Sequence, residues 1–236
     1  MLHVTVFNEF VHEKRHEKVH AVYPEGIHSV LKERLEDEEI SVRTVTLDDP
    51  ECGLTEEVLK ETDVLIWWGH MRHELVPDEV AVRVQHAVIS GMGAIFLHSA
   101  HHSKPFKLLM GTPCNLGWRE NGDREYVWVV DPSHPIVQGI GRYFKLEHEE
   151  TYSEPFSIPE PDKLLLIGNY SGGEVFRSGC LYRRGNGKVF YFQPGHETYP
   201  IFYDDNVIRI IKNAIRFLAS DYRQEIDCPH ITKIED

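Results

Sequence analysis

Apolar positions in the first hundred residues recur with two different periods, and their alternation predicts the layout of the chain. Val4 to Phe7 is apolar and β-branched, which predicts a strand. A polar stretch with several histidines, from Asn8 to Glu25, follows and reads as a loop. Ile27, Val30, Leu31 and Leu35 then fall at helical spacing and predict one apolar helix face. Ile40 to Val45 reads as the next strand. Thr55 is placed to cap a short helix running through Glu61, with Glu57 and Val58 in its first turn. Val64 to Trp68 is a continuous apolar run, the signature of a strand buried on both faces. Pro77 opens another helix in which Val80, Val84, Ala87 and Val88 share a side, and Gly91 closes it. Ala94 to Leu97 is the fourth strand.

Strands and helices alternating at these lengths predict an α/β fold: a doubly wound, mostly parallel sheet between two helix layers. The second half is less regular. Tyr126 to Val130, Leu164 to Ile167, Cys180 to Arg183 and Val189 to Gln193 read as strands, and Arg184-Gly185-Asn186-Gly187 as the hairpin turn joining the last two. Val207 to Ala219 is a closing helix with Ile208, Ile211, Ile215 and Leu218 along one side. No repeat or linker interrupts the chain. The expectation is a single domain over residues 1–222 and a polar tail over 223–236, which contains Pro229.

Composition narrows the function classes. The chain has 236 residues and a formal net charge of -13, which argues against nucleic-acid or anionic-membrane partners. Its cysteines, Cys52, Cys114, Cys180 and Cys228, are scattered without a C-x-x-C pair and read as reduced thiols of a cytoplasmic protein. The N-terminus reads as a strand and not as a signal peptide, and no apolar run approaches membrane-spanning length. An assembly of identical copies is compatible with the sequence.

Histidines carry the candidate chemistry. They cluster in Trp67-Trp68-Gly69-His70-Met71-Arg72-His73, in His98-Ser99-Ala100-His101-His102 and in Gln193-Pro194-Gly195-His196-Glu197, each directly after a predicted strand. Ligands of open α/β sheets bind outside the carboxyl ends of the strands, so these clusters are expected to converge there. Ser99 has bulky residues where a strained nucleophile turn needs small ones, and a hydrogen bond to backbone suits it better. His98 and His102 share one turn and are the expected ligand pair for a divalent metal, most simply zinc, with His70 or His196 as the third ligand. Arg72 is a candidate clamp for a polar substrate group, and Trp68 of the Trp67-Trp68 pair a candidate aromatic platform. Most of the acidic run Glu147-His148-Glu149-Glu150-Thr151-Tyr152 reads as a solvated face, with Glu150 and Tyr152 kept as site material. Glu150 or Glu197 would act as base or orient an imidazole, and His196 with Glu197 would handle protons in a metal-free alternative. His3, His12, His16, His20, His28, His86 and His230 read as surface or structural.

Taken together, Phe96-Leu97-His98-Ser99-Ala100, Glu149-Glu150-Thr151-Tyr152 and Pro194-Gly195-His196 resemble the ThuA family of trehalose-utilisation proteins. The resemblance implies the class I glutamine amidotransferase-like fold, a flavodoxin-like α/β/α arrangement. It also implies a role in sugar catabolism, with trehalose, a related disaccharide or an oxidised 3-keto sugar as the small-molecule partner. Amidotransferases carry a cysteine in the turn after the strand corresponding to Ala94–Leu97, and a His-x-Glu element near the C-terminus. This chain has neither, so glutamine hydrolysis is not expected. A non-catalytic carbohydrate-binding or regulatory protein is the competing class.

Overall fold

Alternate residues of the central strands enter two separate cores, and that division builds the layers. The computed structural model describes residues 1–224 and 228–235. β1 (Leu2–Asn8) leads through two short helices, α1 (His12–Arg15) and α2 (Glu17–Val22), to α3 (Ile27–Leu35). β2 (Ile40–Thr46), α4 (Glu56–Glu61), β3 (Val64–Trp68), α5 (Asp78–Ile89), β4 (Gly93–Leu97) and α6 (Lys104–Met110) continue the alternation. Then come β5 (Gly117–Val129), β6 (Tyr143–Ser153), β7 (Lys163–Tyr170), β8 (Val175–Arg184), β9 (Gly187–Phe192) and α7 (Asp205–Leu218).

The strands form one nine-stranded sheet in the order β2-β1-β3-β4-β9-β8-β7-β5-β6. The first five positions are parallel, and β8, β7, β5 and β6 extend the sheet antiparallel. The sheet is therefore mixed, a parallel core with an antiparallel wing. Val4, Val6, Val64, Ile66 and Trp68 pack with α3 and α7 on one face. Phe7, Leu65, Trp67 and Phe96 pack with α4, α5 and α6 on the other. Each large apolar side chain removed from water this way contributes roughly 1.5–3 kcal/mol, which explains why the strands read as unbroken apolar runs.

Local signals behave as their chemistry requires. Thr55 Oγ1 accepts from Val58 N at 3.3 Å, and Asp204 Oδ1 accepts from Asn206 N and Val207 N at 2.8 and 3.1 Å to start α7. Gly185 has φ +60° in the turn between β8 and β9, where a side chain would also strike the carbonyl of Ile89. Three expectations change. The stretch 8–25 holds α1 and α2, which at four and six residues are too short to show a period. β5 begins at Gly117, nine residues before its expected start, because its first half is polar and held by side-chain pairs such as Arg119–Asp123. The acidic run lies within β6, which was not expected to be a strand.

The expected tail falls partly outside the described residues. At its start the Arg223 guanidinium donates to the carbonyls of Leu59, Lys60 and Thr62. Among the described residues no helix is long and apolar enough to cross a membrane.

Candidate active site

The parallel strands β1, β3, β4 and β9 all end at one edge of the sheet, and each delivers a polar side chain there. Beyond β1 stand Glu9 and His12; beyond β3, His70; beyond β4, His98; beyond β9, His196 and Glu197. One donor atom from each of His70, His98, His196 and Glu197 lies within 4.8 Å of all the others. That is the spacing of ligands around a single cation. His98, His196 and Glu197 are buried and His70 is partly exposed, so the group sits at the floor of an opening.

β6 supplies the remaining wall although it is the far edge strand. Its pairing with β5 shifts register on both sides of Asp123. Such bulges bend strands and re-aim side chains. Past the bend, Glu149 to Tyr152 reach over the ends of β4 and β9. Tyr152 stacks on His98 with ring centres 4.8 Å apart, and Glu150 Oε2 lies 3.0 Å from His98 Nε2 and 3.9 Å from His196 Nε2.

The second nitrogen of each imidazole is already engaged. His98 Nδ1 lies 2.9 Å from the carbonyl oxygen of Gln193, which can only accept, so Nδ1 carries the proton. His70 Nδ1 faces Glu197 Oε2 at 3.0 Å and likewise donates. This is the arrangement by which carbonyls and carboxylates orient metal-binding histidines. His196 differs: its Nδ1 accepts from the Thr198 backbone N–H at 3.3 Å and lies 2.8 Å from Thr198 Oγ1, so in the neutral ring Nε2 carries the proton. Glu150 Oε2 and Glu197 Oε1 are buried without a well-aligned hydrogen-bond partner, so the pocket holds polar atoms that a cation or a substrate would satisfy.

Backbone strain marks the same place. His98 has φ +50°, a conformation that costs a non-glycine residue ~1–3 kcal/mol and tends to occur at functional sites. It is the residue at the sharp strand-to-helix turn, while Ser99 behind it donates to the carbonyl of Gly69 at 2.8 Å. Gly195 allows the close approach that brings His196 in: a Cβ there would lie 3.0 Å from the Cβ of His98 and from the Phe202 ring.

Electrostatics follow from burial and from the supply of carboxylates. Burial alone would push the His98 pKa down, but Glu150, Glu149 and Glu197 outweigh it and raise it to about 9. Burial also opposes the charge on His70, and the hydrogen bond to Glu197 reverses the balance, leaving its pKa raised. His196 is lowered to about 4 by burial, which Glu197 only partly offsets. Despite their burial, the Glu150 and Glu197 carboxyls are held below the usual range by the surrounding histidines, and both are ionised at neutral pH. Glu149 is raised to about 7 by full burial, against the pull of His98 and of three backbone N–H groups, those of Glu150, Gly195 and His196.

The remaining candidates are placed differently. His102 is exposed and stands outside the four-residue group; its Nε2 lies 3.3 Å from Asn115 Oδ1, because the turn after β4 sends His98 inward and His102 outward. Trp68 is fully buried with its indole N–H on the Gly195 carbonyl at 3.0 Å, so it supports the β9 loop from beneath and offers no face to a ligand. Arg72 points outward to Glu74. Two residues escaped the sequence reading. His12 Nδ1 contacts Glu197 Oε1, and Glu9 Oε2 accepts from the backbone of His70 and Met71. Their only signal is their position directly after the first strand.

A parallel core in this order, with a strained turn after β4 and a histidine element after β9, defines the class I glutamine amidotransferase-like fold, here with His98 at the turn. A glutamine amidotransferase from Thermotoga maritima shares it at 10% identity and TM-score 0.53, over 92% of this chain and 97% of that one. ThuA-like proteins from Parabacteroides merdae and Bacteroides uniformis are more similar. Both are 16% identical, with TM-scores of 0.68 and 0.66, over 96% and 94% of this chain and 92% of each of theirs. No curated protein matches the sequence. The family model for ThuA, described as trehalose utilisation, matches residues 3–218, and the chain belongs to that family.

Proposed function

We propose that the chain is a metal-dependent enzyme of sugar catabolism that moves a proton beside the carbonyl of an oxidised sugar, such as a 3-keto glycoside. The observation that carries this reading is the convergence of His70, His98, His196 and Glu197, one donor atom of each within 4.8 Å of the others. Nδ1 of His70 donates to Glu197 and Nδ1 of His98 to the Gln193 carbonyl, which would leave their Nε2 atoms for a cation. His196 would join as third ligand by giving up the bond its Nδ1 accepts from Thr198 N, and zinc is the best match to an imidazole set. Glu197 then serves as the carboxylate that orients His70, and His12 holds its other oxygen. Zinc held by these residues would supply Lewis-acid polarisation of a carbonyl oxygen. Glu150 is the base: it is ionised, lines the opening, and has an oxygen without an aligned donor. Tyr152, whose hydroxyl lies 3.3 Å from His98 Nε2, borders the same space and is placed to hydrogen-bond the substrate oxygen. Family membership supports a sugar as the substrate, and free thiols at Cys52, Cys114 and Cys180 suit a cytoplasmic protein.

The test has two parts. Metal content is measured after purification without an affinity tag, before and after zinc addition and dialysis. The zinc-loaded protein is then incubated in D2O with a 3-keto glucoside, and exchange at the carbon beside the carbonyl is followed by NMR. One equivalent of zinc is expected, with exchange that Glu150→Gln removes while the metal stays. A protein that stays metal-free, or exchange indifferent to Glu150→Gln, overturns the reading.

A further inference from the structure

Above the four-residue group lies a cleft of about 240 Å³ whose outer wall plays no part in the site described so far. That wall is Trp118, Asn115, His73, His101 and His102, and Tyr152 joins it to His98. Trp118 is 69% exposed, the most exposed of the four tryptophans. Its placement is not accidental to the site. In the β5–β6 ladder Trp118 is paired directly with Tyr152, and directly paired residues of antiparallel strands project on the same face. The register that lays Tyr152 against His98 therefore carries the indole to the mouth of the same cleft.

The chemistry of the wall selects what can lie there. No lysine or arginine lines the cleft. The neighbouring guanidinium groups are committed elsewhere, Arg72 to Glu74 and Arg119 to Asp123 and Glu174. Lys107 is close enough to act on His73 and His102 but does not line the space. Burial keeps His73 and His101 uncharged at neutral pH. The charge on the cleft lies at its floor, where the Glu150 carboxylate and the His70 imidazole, its pKa raised, both border the space, and the outer wall carries none. Neutral imidazole and the Asn115 amide each offer a donor and an acceptor, which is what a hydroxyl requires. The volume falls below the ~300–1,000 Å³ of sites for drug-sized ligands and suits one sugar ring.

We propose that this cleft is a recognition subsite for a single uncharged pyranose ring, lying flat on the Trp118 indole with its hydroxyls read by Asn115, His102 and His73. The C–H face of the ring complements the negative face of the indole. The subsite rests on the reading above in that it holds the sugar whose carbonyl would face Glu150, and its wall offers a phosphate group no lysine or arginine.

Calorimetric titration of the zinc-treated protein with trehalose, methyl α-D-glucopyranoside and glucose 6-phosphate tests it. The two neutral sugars are expected to bind, and glucose 6-phosphate more weakly than methyl α-D-glucopyranoside. Trp118→Ala should weaken the neutral sugars roughly tenfold, as expected for loss of an aromatic contact of ~1.4 kcal/mol. Trp118→Phe should restore most of that loss, and the metal content of both variants should equal that of the unmodified protein. Trp118 is exposed, so neither change threatens the fold. Binding unaffected by Trp118→Ala, tighter binding of glucose 6-phosphate, or no binding of either neutral sugar overturns the subsite. If zinc is retained while neutral sugars fail to bind, the subsite falls and the metal reading stands. If neutral sugars bind through Trp118 to a protein that takes up no metal, the subsite stands and the metal reading falls.

Discussion

Two groups of three histidines share this edge of the sheet, and they differ in one respect. His70, His98 and His196 lie among the carboxylates of Glu149, Glu150 and Glu197. His73, His101 and His102 have backbone, amide and aromatic neighbours; His101 Nδ1, for example, donates to the Cys114 carbonyl at 2.7 Å. Burial disfavours the charged form in both groups. In the inner group, carboxylates outweigh it at His98, raised to about 9, and at His70, while at His196 burial still prevails and holds the pKa at about 4. In the outer group nothing does, and burial takes His73 down to about 3. Identical side chains thus acquire different chemistry from the acids beside them. An imidazole pressed toward the charged state by buried acids sits in a field made for a cation, and a metal ion can replace its proton.

The strongest way to break this comparison is to remove an inner imidazole. His98→Asn tolerates the positive φ that the position imposes, and His196→Ala leaves the Gly195 turn intact. Loss of an outer partner of a metal ligand typically costs 10–100-fold in affinity. Loss of a ligand is expected to cost more, so both variants should lose at least about 10²-fold in zinc affinity, read by competition with a chelating dye. Retention of full affinity by both would dissolve the inner group as a metal site.

Proton linkage gives the next effect. His98 has a folded pKa raised from 6.5 to about 9, so it contributes stability that is fully present below pH 6.5 and lost as pH rises through 9. The size is ~3 kcal/mol by the usual 1.36 kcal/mol per pKa unit. Glu149 acts in the same sense at lower pH, its stabilisation fading between 4.5 and about 7. His196, lowered to about 4, acts oppositely and only below pH 6.5. Urea unfolding of the chelator-treated protein should therefore show stability falling between pH 7 and 9. Zinc should flatten that fall, because His98 is then neutral on both sides of the window. A pH profile that zinc leaves unchanged would separate His98 from the metal.

A smaller change sharpens the inner group from outside. Glu197→Gln keeps the shape of the side chain but removes the charge shared by His12 and His70. Zinc affinity should fall 10–100-fold, the range for partners of metal ligands. A loss as large as that of His98→Asn would instead make Glu197 a direct ligand.

How far the sequence showed this depended on range. β1 to β4, with α3 and α5, were legible because β3 and β4 are apolar on both faces, β1 and β2 carry recurring β-branched apolar residues, and each helix buries one side. His70, His98 and His196 were legible as site material because each directly follows such a strand. Glu150 was kept as site material, but Glu149 was not separable from Glu147 and His148, since burial there depends on a bend around Asp123 that no local pattern announces. Trp118 was invisible for the same reason: its value comes from being paired with Tyr152, 34 positions away in the ladder. His12 lies in a segment whose helices are too short to show periodicity.

His102 supplies the smallest effect and the sharpest contrast between the two groups. Sequence spacing makes it a partner of His98, since both occupy one turn. Geometry separates them: a short 3₁₀ turn from His98 to His102 turns the first ring toward Gln193 and Glu150 and the last toward Asn115. No carboxylate offsets the burial that lowers its pKa, and Lys107 lowers it further. His102→Ala removes one hydrogen bond of 3.3 Å at an exposed position. The stability change should stay within about 0.5 kcal/mol, as for surface sites without a special role. Zinc stoichiometry and affinity should match the unmodified protein, while binding of methyl α-D-glucopyranoside should weaken by a few-fold through the lost hydroxyl contact, of order 0.5–1.5 kcal/mol. If His102→Ala loses zinc as His98→Asn does, the two histidines act as the pair that their spacing suggests, the turn must rearrange when the metal binds, and the division between inner and outer groups no longer holds.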